Sequence, residues 1–304
     1  MNRSRGPVRA LAALVLLACA PAAVAQFVDD SRERYAFDSP EGWAMAWVTA
    51  STIMAAGGAT PALGPGELQA GVDLGSIPWL DEEQQRVGFG GFKDEDLNKS
   101  PAFGRLRGWV GLPAGFVLEL GWTPPLRVDG AKPEDLFAAA LGRRLWEGSR
   151  WDLSARLHGQ YGRARGDITC PRAIAGRTDP IVNPFRCVAP SDDRIDLRYH
   201  ALDATFAHAV ADGARGHVTL GVVRVEPRVQ VNARSPTLLS VPRLSTRGSA
   251  PYVAAGITGS IAAGWEIGAE ALWLPLDVRR DADGAAEDDA FWSVRISLRH
   301  RWRD

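Results

Sequence analysis

The segment from Trp292 to Trp302 constrains the fold more than any other. One parity reads Trp292, Val294, Ile296, Leu298, His300 and Trp302. The other reads Ser293, Arg295, Ser297, Arg299 and Arg301. Period-two alternation is the signature of a β-strand with two unlike faces. Here one face is apolar with a tryptophan at each end, and the other is basic. The two tryptophans lie ten positions apart, roughly 33 Å along a strand. Tilted by about 40°, such a strand covers about 25 Å, the height of the apolar band of a membrane-spanning barrel.

The pattern recurs along the chain. Trp151, Leu153, Ala155, Leu157, Gly159 and Tyr161 alternate with Asp152, Ser154, Arg156, His158 and Gln160. Trp265, Ile267, Ala269, Ala271 and Trp273 alternate with Glu266, Gly268 and Glu270. Phe116, Leu118, Leu120 and Trp122 flank Glu119. Leu68, Ala70, Val72 and Leu74 alternate with Gln69, Gly71 and Asp73. Leu106, Val110 and Leu112 alternate with Arg105, Arg107 and Trp109. Ile195, Leu197, Tyr199 and Ala201 alternate with Asp196, Arg198 and His200. Segments 135–146, 216–231 and 250–262 are less regular, and Pro227 predicts a strand end or bulge.

Connections alternate between short and long, as in barrels with tight turns at one end and long loops at the other. Counting back from the C-terminal segment gives ten strands, near 67–77, 104–112, 115–123, 135–146, 150–163, 194–210, 216–231, 250–262, 265–277 and 289–302. The expected fold is all-β, a transmembrane antiparallel up-and-down barrel of about ten strands, with twelve as the alternative. Trp122, Trp151, Tyr161, Trp265, Trp273, Trp292 and Trp302 are its expected membrane girdles.

Residues 1–25 have the three parts of a secretory signal peptide: Arg3, Arg5 and Arg9, the apolar run Leu11–Ala18, and Ala23-Val24-Ala25 before Gln26. Its removal takes Cys19 and leaves Cys170 and Cys187, which in an exported chain predict one disulfide. Residues 26–66 form an N-terminal segment outside the barrel wall, and 67–304 the barrel. Within 26–66 the signals are helical. Ser39 is an N-cap, Pro40 suits the first helical position, and Gly57-Gly58 favour termination. Trp43, Trp47, Ala50 and Met54 share one face of a helix over about 40–56. Plugging the barrel and lying on its periplasmic rim are both open to it.

These features together resemble the outer-membrane β-barrel class of Gram-negative bacteria. The stretch from Arg86 to Pro101, with Gly111-Leu112-Pro113 and Trp122-Thr123-Pro124-Pro125, looks like an uncharacterised family of such barrels. A barrel with an N-terminal helix is similar in plan to long-chain fatty acid transporters. The resemblance implies outer-membrane localisation, contact with outer-membrane lipid and lipopolysaccharide, and delivery by the barrel-assembly machinery.

Composition narrows the function. The 304 residues are 46% hydrophobic, too apolar for a disordered chain. No uncharged apolar run after residue 25 approaches the length of a membrane helix. With 35 basic and 36 acidic residues, no nucleic-acid surface is advertised. The alternation aims Arg105, Arg107, Glu119, Asp152, Arg156, His158, Asp196, Arg198, His200, Glu266, Glu270, Arg295, Arg299 and Arg301 into the lumen. Buried charges must pair or stay wet, so the interior is either interlocked by salt bridges or a constricted channel favouring anions. The acidic stretch around Asp281, Asp283, Glu287, Asp288 and Asp289 misses calcium-loop spacing and reads as a solvated turn. No metal or cofactor is expected. Omptin proteases are ten-stranded barrels with an Asp/His site at the outer rim. The corresponding neighbourhood here, Asp193, His200 and Asp203, lacks clustered external acids, so an enzyme is not expected. The leading expectation is passage of a small solute. A non-conducting structural or adhesive barrel is the alternative, and a rim hydrolase comes third.

Overall fold

The computed structural model describes residues 27–281 and 284–302. The expected signal peptide, Asp283 and the two residues after Trp302 lie outside them.

Among the described residues, ten antiparallel strands close into a barrel. They are β1 (Leu68–Ser76), β2 (Ala102–Gly111), β3 (Phe116–Thr123), β4 (Lys132–Glu147), β5 (Trp151–Gly166), β6 (Tyr199–Ala211), β7 (Ala214–Val225), β8 (Gly248–Ala262), β9 (Trp265–Leu274) and β10 (Phe291–Arg301). Each strand pairs with the next, and β10 pairs back onto β1 with Leu298 opposite Val72. Closure leaves no free edge in the wall, which is the arrangement a strand protein needs to satisfy its backbone inside lipid. No described helix is long and apolar enough to cross a membrane.

The four connections 112–115, 148–150, 212–213 and 263–264 are tight and lie at one end. The five at the other end, 77–101, 124–131, 167–198, 226–247 and 275–290, are long. By the usual asymmetry the long loops mark the outer end. They carry extra sheet. Arg163–Gly166 of β5 pair with the short strand Asp193–Asp196, which continues to Arg228–Gln230, Arg243–Ser245 and Arg32–Arg34. Phe27–Asp29 add in parallel to Leu238–Ser240. The described N-terminal residues are therefore woven into the outer cap. Cys170 and Cys187 are bonded within the same cap.

Two expected strands are shorter than the alternation predicts. The 194–210 segment breaks at Leu197-Arg198, where the chain steps from the cap sheet to the barrel wall. The 216–231 segment breaks at Glu226-Pro227, since proline has no N–H to give the ladder.

The outward face is an apolar belt. Leu120, Leu157, Leu202, Leu220, Ile257, Ile267, Val294 and Ile296 are exposed along it. Trp122, Tyr161, Trp273 and Trp292 stand toward its outer edge, and Trp151, Trp265 and Trp302 toward its inner edge. Trp273 and Trp292 face each other across β9 and β10, with ring centroids 6.2 Å apart.

Candidate functional site

The barrel interior is occupied by the chain's own N-terminal segment. Helix α1 (Pro40–Ala50) starts where the sequence predicts, with the Ser39 hydroxyl accepting from the Gly42 amide at 3.1 Å and Pro40 in the first turn. Almost every residue of α1 is buried, because it sits in the mouth rather than on a surface. Trp43, Trp47 and Ile53 pack with Tyr199, Val223, Tyr252, Leu272, Leu274 and Phe291 of the wall. The Trp43 indole donates to the Asp289 carbonyl at 3.0 Å, and Glu41 accepts from the Gly90 amide at 2.5 Å.

The helix ends at Ala50 instead of near Ala56. Past that point barrel arginines take the carbonyls that a longer helix would bond internally. Arg105 donates to Thr52 O at 2.9 Å, Arg295 to Ile53 O, Arg156 to Met54 O at 3.1 Å and Arg299 to Ala56 O at 3.1 Å. Other wall groups continue the grip. The Tyr199 hydroxyl accepts from the Met54 amide at 2.7 Å, and Glu270 accepts from Gly57 N at 3.0 Å. Ser154 accepts from Thr60 N at 3.1 Å, and Arg144 donates to Thr60 O at 2.9 Å. The segment leaves at the inner end, where Gly66 N donates to Gly111 O at 2.9 Å. A Cβ on Gly111 would lie 2.0 Å from Gly64 O, so this exit needs glycine.

A charge network surrounds the threaded segment. Arg156 bridges Asp203 at 2.7 Å and Glu119 at 3.1 Å. Glu119 also pairs with Arg107, which reaches Asp73. Asp203 further accepts from the Tyr252 hydroxyl at 2.6 Å and lies 3.2 Å from His158 Nε2. His217 meets Glu270 at 3.1 Å, and Arg299 faces Glu266 at 3.6 Å. Asp152 pairs with Arg144 and Arg215, and Arg301 with Glu67. The cavity between Ala59, Pro61, Trp109, Val117, Arg156 and Arg299 is about 10 Å³, room for about one water.

Of the predicted lumen residues, Arg105, Arg107, Glu119, Asp152, Arg156, His158, Glu266, Glu270, Arg295, Arg299 and Arg301 all point inward into these contacts. Asp196, Arg198 and His200 are a correction. Ile195, Leu197, Tyr199 and Ala201 are buried, while Arg198 and His200 face outward. Near the mouth the interior is filled by apolar α1, so apolar residues turn in and polar ones turn out. Below it the usual sense returns, with Asp203 and Thr205 inside and Leu202 and Phe206 outside. Asp193, His200 and Asp203 do not converge. Asp193 caps the amides of Ile168, Thr169 and Asn232 in the cap, and the other two lie on opposite faces of β6. Sequence reasoning missed Tyr252 and His217, which sit in two of the three less regular segments. Their signal was parity with Thr219 and Ala254.

In the outer cap, Lys93 is buried between the Glu95 carboxylate at 2.8 Å and Thr169 O at 2.8 Å. Burial pushes the Glu95 carboxyl up to about 7, against the opposing pull of Lys93. Asp167 is also shielded from water, yet hydrogen bonds from the Arg172 amide and Lys99 hold its carboxyl below the usual range. Among the described residues no group of three or more His, Cys, Asp or Glu is placed to hold a metal.

No family model and no curated protein matches the chain. Solved structures resemble it at low identity. The outer membrane protease OmpT from Escherichia coli aligns at 10% identity and a TM-score of 0.38, over 80% of this chain and 99% of that one. Ail, the attachment invasion locus protein of Yersinia pestis, aligns at 8% and 0.28, over 79% and 99%. The NanC porin aligns at 10% and 0.33, over 77% and 100%.

Proposed function

We propose that the chain is an outer-membrane barrel, closed as folded, that works through its outer cap in a structural or adhesive role. The observation that carries this reading is the filled lumen: residues 40–64 run through it and are bonded to the wall on all sides. The apolar belt between two aromatic edges supports the membrane placement. The cap is built for exposure, with Phe89, Phe92 and Ile181 open to solvent on a frame held by the disulfide.

Passage of a small solute is the second reading. It is favoured by the polar character of the lower contacts, which water replaces more readily than apolar ones. It would require residues 51–64 to withdraw, and it preserves the likeness in plan to fatty acid transporters. Single-channel recording of the full-length protein in planar bilayers separates the two. The closed reading expects no unitary steps. Reproducible steps of one size would overturn it in favour of passage.

A further inference from the structure

The outward face carries a hollow that the closed lumen leaves unexplained. Successive ladder partners set Gly108, Leu120, Ala139, Gly159 and His200 side by side across β2 to β6. The row toward the outer end is Leu106, Trp122, Phe137 and Tyr161. Gly108, Ala139 and Gly159 in the first row, beside Leu120 and beneath the large residues of the second, leave a hollow of about 730 Å³ with an almost wholly apolar lining.

The hollow is oblique. A ladder row runs across strands that tilt by about 35–45° in membrane barrels, so it slopes through the belt. His200 is the second residue of β6, at the outer end. Gly108 is the seventh of β2, roughly 20 Å from that end. The groove therefore descends from the outer interface toward the middle of the belt.

Its upper end is basic. His200 pairs across the ladder with outward-facing Arg224. Arg224 and Arg247 share one carboxylate, Glu226, at 3.0 and 3.1 Å. Arg198 lies over the Tyr161 ring at 5.1 Å and has no carboxylate partner among the described residues. Three guanidinium groups thus stand at the mouth of an apolar groove, two of them sharing Glu226, while Asp196, two residues before Arg198 on the same face, is laddered between Arg163 and Arg228. That is the complement of an amphiphile with a phosphate head and an acyl tail, since guanidinium groups bind phosphate in a two-pronged fashion.

We propose that this groove holds an acyl chain of a phosphorylated glycolipid of the outer leaflet, the lipid A moiety of lipopolysaccharide, with a phosphate held by Arg198, Arg224 and Arg247. The inference rests on the outer-membrane reading above.

The test uses full-length protein. Membrane fractionation and heat-modifiable gel migration come first and report placement and fold. Native mass spectrometry in mild detergent then counts lipid A retained per barrel, with phosphate-free lipid A and phosphatidylcholine added as competitors. Two variants address the two ends. Arg198→Ala/Arg224→Ala removes the head site. Gly108→Leu fills the groove, where a Cβ meets nothing within 4 Å. One lipid A per wild-type barrel is expected, and about tenfold less in either variant at unchanged gel migration. Equal retention by the variants, or equal competition by phosphatidylcholine, would overturn the site. A membrane-located, folded barrel that retains no lipid A would overturn the site alone. A chain recovered from the soluble fraction would overturn the placement as well.

Discussion

Arg156 on β5 and Asp203 on β6 are direct ladder partners, and their side chains meet inside the barrel through two hydrogen bonds, of 3.2 and 2.7 Å. The same guanidinium holds Glu119 and the carbonyl of Met54. One residue thus joins three strands to the threaded segment. Removing it leaves two buried carboxylates short of a partner. Arg156→Ala is expected to cost about 3–5 kcal/mol, the usual penalty for breaking a buried pair. Arg143→Ala, on the outward face over the Phe116 ring, should stay within about 0.5 kcal/mol of wild type. Urea unfolding of the refolded barrel in lipid vesicles reads both. Equal midpoints for Arg156→Ala and wild type would show a wet, non-structural interior.

The path of residues 51–64 through the lumen predicts a specific crosslink. A Cβ placed on Gly142 lies 2.8 Å from Thr60 Oγ1 and 3.2 Å from its Cγ2. Two cysteines there fall within the short Cβ separation a disulfide needs. Thr60→Cys/Gly142→Cys should oxidise spontaneously on export and shift mobility on non-reducing gels. Thr60→Cys/Leu141→Cys should not, because Leu141 points outward. A crosslink in the second pair and none in the first would place the segment elsewhere.

How far these contacts were visible beforehand differs by element. The strands were legible because period two is local: Trp292, Val294 and Ile296 announce their face without any knowledge of neighbours. The start of α1 was legible for the same reason, through Ser39 and Pro40. Its end was not. Gly57 and Gly58 look like the stop, but Arg105, Arg156, Arg295 and Arg299, all distant in sequence, compete for the carbonyls from Thr52 onward. The inverted facing of Arg198 and His200 has a similar origin. Alternation says that two faces differ, not which is wet, and at the mouth the apolar helix reverses the sense. The lipid-facing groove needs register, which a single chain does not state.

Orientation gives a prediction that the barrel alone would not. Asp30 lies in the outer cap beside the strands that pair with Leu238–Ser240 and Arg243–Ser245, whereas Asp212 lies in a tight turn at the inner end. The cysteines of the cap are bonded to each other, so an introduced cysteine reports cleanly. A membrane-impermeant maleimide on intact cells should label Asp30→Cys and spare Asp212→Cys until the outer membrane is permeabilised. Labelling of Asp212→Cys alone would reverse the barrel.

Glu95 makes the cap sensitive to pH, and the sign follows from its shift. Its carboxyl is raised from 4.5 to about 7 in the folded protein. The folded state therefore holds the proton over a range where the unfolded chain has released it. Stability linked to this group is fully present below about pH 4.5 and is lost as pH rises through about 7. A shift of this size corresponds to about 3 kcal/mol, applied to the clasp that Lys93 and Glu95 form against Thr169. Limited proteolysis within 86–97 should be slow at pH 5 and faster at pH 8. Glu95→Gln, neutral throughout, should remove that dependence and keep the clasp resistant at pH 8. A wild-type clasp that loosens toward acid pH instead would mean that the charged Lys93–Glu95 pair, and not the protonated carboxyl, holds the loop.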